Sequence, residues 1–147
     1  MATPGPGGEI RMTETARPAA SPFLMSSDAA CPLQLLSLAT GAPARPIAFV
    51  RAVGGPILET ARDAHVAGLA MPVLVGEAGQ IEADAAAIGW SLEGARIIDV
   101  DGEQEAIEAA VAEVGSGQAH GLIKGQIHTD VFMGTIVRRT SGIRTDR

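Results

Sequence analysis

The 147-residue chain has no tyrosine, one tryptophan and three phenylalanines, so it is short of the aromatic rings on which nucleic-acid bases stack. Its single cysteine, Cys31, excludes an internal disulfide and a cysteine-held structural zinc, and no neighbouring sequence marks that thiol as a nucleophile. Positive charge is also scarce: 11 lysines and arginines stand against 17 aspartates and glutamates, a net charge of −6. That balance argues against duplex nucleic acid or anionic lipid as a partner, since both need clustered cations. No apolar run approaches the roughly 18 residues needed to cross a bilayer, and no basic segment followed by an apolar one opens the chain. The three histidines, His65, His120 and His128, fall in different predicted elements, so no metal is expected. The expectation is a cytoplasmic protein that meets small molecules or other proteins.

What is present is a repeated pattern. Four of the nine prolines lie in the first 22 residues, among glycines and small polar residues without periodicity. Residues 1–30 are therefore expected to form a disordered tail, and residues 31–147 a single domain. PLQLLSLATG predicts a helix that ends near Gly41 in a left-handed residue. From Arg45 onward, short apolar runs alternate with helical spacing. PIAFV (46–50) precedes GPILETARDAHVAGL, which stops at Gly68. PVLV (72–75) precedes a helix with Ile81, Ala85 and Ile88 on one face and Asp84 at its edge. RIIDV (96–100) precedes EQEAIEAAVAEVG, and GLI (121–123) precedes TDVFMGTIVRR. Strands separated by amphipathic helices cannot pair as hairpins, so the pattern predicts a three-layer α/β fold: a mostly parallel sheet with helices on both faces.

The segment GLIKGQIHTD (121–130) carries the strongest chemical signal. It holds the chain's only lysine, Lys124, at the end of a predicted strand, and in open parallel sheets ligands bind beyond such ends. An ammonium there needs an anionic or carbonyl partner. Gly125 removes a side chain where the backbone turns, leaving room for a ligand or for a positive φ. Thr129 is placed to cap the next helix, whose free amides attract anions. With His128 and Thr129 as further donors, the segment suggests a site for phosphate or another oxyanion. A plainer reading also stands: Thr129 and Asp130 are ordinary first-turn residues, and His128 a surface histidine. Asp99 and Asp101 end the third strand, where turn carboxylates are common. Arg138 and Arg139 complement a helix C-terminus. Ser141, Gly142, Arg144 and Thr145 form a polar segment that could fold back toward Lys124.

The stretch GLIKGQIHTDVFMGTIVRRTSGIRTDR resembles the part of the phosphate acetyltransferase and phosphate butyryltransferase family that reads approximately LMKGxLHTDxLMxAVVxxxTGLRTxRRISHV. PVLVG followed by a helix and RIIDV is similar to that family in order and spacing. The likeness spans residues 32–147 and rests on KGxxHTD and GIRTxR together. It looks closest to the branch often fused to a MaoC-type enoyl-CoA hydratase, though residues 1–30 do not resemble that hydratase.

The resemblance implies reversible acyl transfer between coenzyme A and phosphate, in a fold related to isocitrate and isopropylmalate dehydrogenases. It implies acetyl-CoA or CoA and phosphate or acetyl phosphate as substrates, no resident cofactor, and Lys124, Gly125, His128, Thr129, Arg144 and Thr145 as phosphate-side contacts. Family members are about twice this length, and the base for the coenzyme A thiol is implied in a C-terminal half beyond Arg147. The expectation is thus a truncated, N-terminal portion, inactive alone and completed by a second copy or a complementary C-terminal chain. The alternatives are a phosphate butyryltransferase and a non-catalytic anion-binding fragment or remnant of a split gene.

Overall fold

In the computed structural model, residues 33–138 and 141–143 are described. The expected tail, Cys31, Arg139, Arg144 and Thr145 lie outside them. The chain divides into two units between Leu36 and Ser37, and the sheet belongs wholly to the second. In order, the elements are α1 (Leu33–Thr40), β1 (Arg45–Val50), α2 (Gly55–Val66), β2 (Ala70–Gly76), α3 (Ala78–Ala87), β3 (Arg96–Asp99), α4 (Gly102–Gly115), β4 (Leu122–Lys124) and α5 (Thr129–Ile136). The sheet order is β3-β2-β1-β4, and all three pairings are parallel.

Successive residues of a strand point to opposite faces, and here both faces are covered. Ala48, Val50, Val73 and Val75 pack with Ile107, Ala110 and Val111 of α4, and with Phe132 and Ile136 of α5. Phe49 and Leu74 pack with Leu58 and Ala61 of α2, and with Ile81 and Ala85 of α3. Each large core side chain contributes about 1.5–3 kcal/mol when fully buried. Strands covered on both sides need apolar residues at every position, which is why PIAFV and PVLV are unbroken runs. Pro72 is tolerated in β2 because β3 joins only at Val73, so one edge of the strand is still unpaired at the proline.

The helices end by one recurring device. Past α2, α3 and α4 the chain turns through Gly68, Gly89 and Gly117, all at positive φ. The following amide returns five residues: Leu69 N–H to Ala64 O at 2.9 Å, Trp90 to Ala85 at 2.9 Å and Gln118 to Glu113 at 2.8 Å. Gly41 departs from expectation. It is not left-handed, because α1 closes instead through a tight turn in which Ala42 N–H donates to Ala39 O at 3.1 Å.

From β1 to β3 the chain steps outward in one direction with α2 and α3 on one face. It then recrosses by α4 on the other face and lays β4 along the far side of β1. The loops leaving β1 and β4 diverge to opposite faces, and a crevice opens between the carboxyl ends of these strands.

Gly125 lies where that crevice begins, and it does not take the expected positive φ. A close neighbour of its Cα is the chain's own backbone. Gly125 N–H donates to Val50 O at 2.9 Å and Gln126 N–H to Arg51 O at 3.1 Å, carrying the β1–β4 association past the end of the sheet. A Cβ at residue 125 would lie 2.5 Å from Arg51 O and 2.6 Å from Val50 O. Gly125→Ala is therefore expected to cost about 2 kcal/mol in urea unfolding through forced separation of the two segments. Gly79→Ala on α3, where a Cβ meets nothing within 4 Å, should instead gain up to about 1 kcal/mol. Equal effects at the two sites would show that residue 125 has room to spare.

Candidate functional site

All four strands point their carboxyl ends at one guanidinium. Arg51, the first residue past β1, takes φ 49°, an uncommon conformation for a residue with a side chain. Its Nε and Nη2 donate to Glu77 Oε1, just past β2, at 3.3 and 3.2 Å. Its Nη1 donates to Glu103 Oε1 in the first turn of α4 at 3.2 Å, and to the Gln126 carbonyl past β4 at 3.1 Å. Glu77 Oε1 also accepts the Gly102 amide at 3.4 Å, while its Oε2 is buried without a partner. Burial pushes the Glu77 carboxyl up, but hydrogen bonds from its own amide, Arg51 and the Gly102 amide, with the Arg51 charge, hold it below its ordinary value.

Glu103 links this hub to the KGxxHTD segment. It accepts the His128 main-chain amide on Oε2 at 3.1 Å, and His128 Nδ1 lies 2.9 Å from both carboxylate oxygens. The hydrogen bond from His128 lowers the Glu103 pKa, and the same bond raises that of His128, with Asp130 adding to the rise and Lys124 opposing it. His128, not Thr129, is the N-cap of α5: its backbone is extended and its carbonyl accepts the Phe132 amide at 3.0 Å. Thr129 is the first helical residue, and its side chain makes no capping bond.

Lys124 differs from expectation in its surroundings. β4 is an edge strand of three residues, so the lysine side chain reaches the surface and needs no buried partner. Among the described residues it has no ion pair or side-chain hydrogen bond. It lines a cleft of about 380 Å³ with Gly125, Gln126 and, across the crevice, Val53 from the loop before α2 and Pro56, Ile57 and Thr60 of α2 itself. Lys124 and Gly125 thus share one wall, whereas His128 turns toward α4 on the opposite face of the sheet. Arg144 and Thr145 lie outside the described residues. Asp84 and Asp99 are structural: Asp84 Oδ2 accepts the Gly54 amide ahead of α2 at 2.6 Å, and Asp99 Oδ1 the Ala78 amide of α3 at 2.9 Å. Arg138 lies 3.8 Å from Glu108. Among the described residues, no group of three or more His, Cys, Asp or Glu side chains is placed to hold a metal ion, and no helix is long and apolar enough to cross a membrane.

The chain is similar to known phosphate acyltransferases. A phosphate butyryltransferase of Clostridium beijerinckii is 32% identical over 114 residues, which cover 78% of this chain and 38% of that protein. A phosphate butyryltransferase of Clostridium acetobutylicum is 30% identical over 103 residues, covering 70% and 34%. A phosphate acetyltransferase of Rickettsia felis is 34% identical over 76 residues, covering 52% and 22%. The chain belongs to the phosphate acetyltransferase and phosphate butyryltransferase family. It spans well under half the length of these relatives. No protein-family profile matches it.

For a chain of the phosphate acyltransferase family, the carboxyl-end hub is the part that sequence reasoning missed. Arg51, Glu77 and Glu103 stand 26 and 52 residues apart and share no motif. The one available signal was position, since each follows a strand end by a few residues.

Removing the guanidinium leaves two carboxylates facing each other, so Arg51→Met is expected to lower the urea-unfolding free energy by about 2 kcal/mol. A loss below about 0.5 kcal/mol would class it with ordinary surface pairs. The His128–Glu103 pair also sets a pH window. The histidine, raised in the folded chain, contributes fully below 6.5 and loses that contribution as pH rises through its folded value; Glu103, lowered, contributes fully above 4.5 and loses it as pH falls. The difference in urea midpoint between the unaltered chain and His128→Gln should therefore be greatest between pH 4.5 and 6.5, and a flat difference across pH would refute the coupling.

Proposed function

We propose that this chain forms the phosphate-facing part of an enzyme that transfers an acyl group between coenzyme A and inorganic phosphate. The carrying observation is the lone unpaired ammonium among the described residues, that of Lys124, beside a cleft at the carboxyl ends of β1 and β4, in a chain of the phosphate acyltransferase family. A phosphate or acyl phosphate oxygen in this cleft meets Lys124 on one side and the start of α2 on the other, where helix amides favour an anion. Gly125 shapes the same wall. His128 and Thr129, at the start of α5, do not line this cleft; their contacts with the anion, like those of Arg144 and Thr145, are proposed from the family resemblance alone.

In the reaction, the coenzyme A thiolate attacks the acyl carbonyl and phosphate leaves, or the reverse. Cations and donors held at the phosphate stabilise the charge that gathers on its oxygens. Coenzyme A enters as a substrate, and no resident cofactor is proposed. The acyl group is taken as acetyl, with butyryl as the alternative that two of the similar proteins' names favour. The fold is read as part of the isocitrate and isopropylmalate dehydrogenase arrangement. The full activity is assigned to a protein of the relatives' length, with a second copy or a complementary chain as partner, and the 147-residue chain alone is expected to bind without turning over.

Calorimetry with inorganic phosphate and with acetyl phosphate tests this reading. Binding that weakens about tenfold or more in Lys124→Ala supports it, equivalent to about 1.4 kcal/mol. In a version extended to the relatives' length, acetyl phosphate formation from acetyl-CoA and phosphate is expected, and the rates with acetyl-CoA and butyryl-CoA decide the acyl group. No binding by the chain and no activity in the extended protein would sink the proposal. Binding without activity in the extended protein would favour an anion-binding fragment.

A further inference from the structure

We infer that Glu103 is a positioning residue, which clamps His128 by its main-chain amide and Nδ1 so that only Nε2 is presented to a phosphate or acyl phosphate oxygen. The role of Nε2 rests on the function proposed above; the clamp itself does not.

Two donors of one residue converge on one carboxylate. The His128 amide lies 3.1 Å from Glu103 Oε2, and Nδ1 lies 2.9 Å from both oxygens. The carboxylate is held in turn by Arg51 Nη1 at 3.2 Å, and Arg51 is anchored by Glu77. Exposure separates the two partners: the Glu103 side chain is 22% exposed and that of His128 77%. The acceptor is thus fixed among α4 and the loops while the imidazole projects outward. An ionised carboxylate only accepts hydrogen bonds, so Nδ1 must carry a proton in both charge states of the ring. Nε2 is then a bare acceptor in the neutral ring and an N–H donor in the cation. A phosphate dianion needs the donor.

The groups facing the ring favour that cation. Glu103 from α4 and Asp130 from α5 draw positive charge onto it, and Lys124 from β4 opposes. Arg51, from the loop after β1, lies behind Glu103 and is shared with Glu77 from the loop after β2. Arg51 itself is not free to meet substrate, because Nε, Nη1 and Nη2 are all engaged within the protein. The network therefore transmits the position of the strand ends to His128, a task distinct from the direct contact assigned to Lys124.

Nitrogen-detected NMR of the three imidazoles in the 147-residue chain tests the clamp, with the His128 signals assigned by their loss in His128→Gln. In the unaltered chain the neutral ring is expected as the Nδ1–H tautomer, a readout that needs no variant to fold. In Glu103→Gln its titration midpoint should fall, since the hydrogen bond and charge that raise it are removed. An Nε2–H tautomer in the unaltered chain, or the same midpoint in both proteins, overturns the proposal. Inorganic phosphate is added last. Its movement of the His128 Nε2 signal, weaker in Glu103→Gln, supports the presenting role. If phosphate moves no signal while the tautomer and midpoint behave as expected, the clamp holds and the phosphate reading of the site falls.

Discussion

The carboxyl end of this sheet depends on how the charge of Arg51 is distributed. Arg51 follows β1, and the segments that follow the other three strands each bring an oxygen or a carboxylate to it. Without a cation between them, Glu77 and Glu103 would repel each other and the Gln126 carbonyl would lack its donor. A planar guanidinium can serve all three because its donors point in different directions within one plane; an ammonium would satisfy them less well. The uncommon φ at Arg51 is the local cost of this arrangement, of the order of 1 kcal/mol.

The same interaction explains the geometry of KGxxHTD. Gly125 and Gln126 run against Val50 and Arg51 through main-chain bonds, so the loop after β4 is held by the loop after β1. Glu103 then takes the amide of His128, which sets where α5 begins. The start of that helix is thus determined by a carboxylate of another helix, with no capping side chain of its own. Motif and scaffold meet at two residues that the motif does not contain.

The sheet and helices were legible because burial on both faces leaves a strong local imprint. PIAFV and PVLV are short, bounded apolar runs of the kind found in strands covered on two sides, and Ile107, Ala110 and Val111 fall on one face of a helix. Lys124 was legible for a different reason, its rarity. The hub was not, since Arg51, Glu77 and Glu103 acquire meaning only when the crossovers bring the strand ends together. The expected N-cap at Thr129 failed on the same ground: a threonine before an apolar run is a sound local signal, but Glu103 fixes the preceding residue from outside the helix. The positive φ expected of Gly125 failed because what requires a glycine there is backbone from a strand 75 residues earlier.

The division of labour between arginine and lysine follows from these contacts. Among the described residues, Arg51, Arg62, Arg96 and Arg138 each pair with a carboxylate, and Arg45 contacts His120. Arginine suits such work, since its fork matches fixed oxygens and is more weakly hydrated than an ammonium. Lysine is a compact charge on a flexible stem, poorly suited to bridging several loops and well suited to following a small mobile anion. A chain that commits its described arginines to internal partners and leaves its one lysine beside a cleft, unpaired among the described residues, has separated structural charge from charge available to a ligand. The negative net charge makes that separation more telling, because acidic residues outnumber basic ones in the chain and yet, among the described residues, none pairs with Lys124.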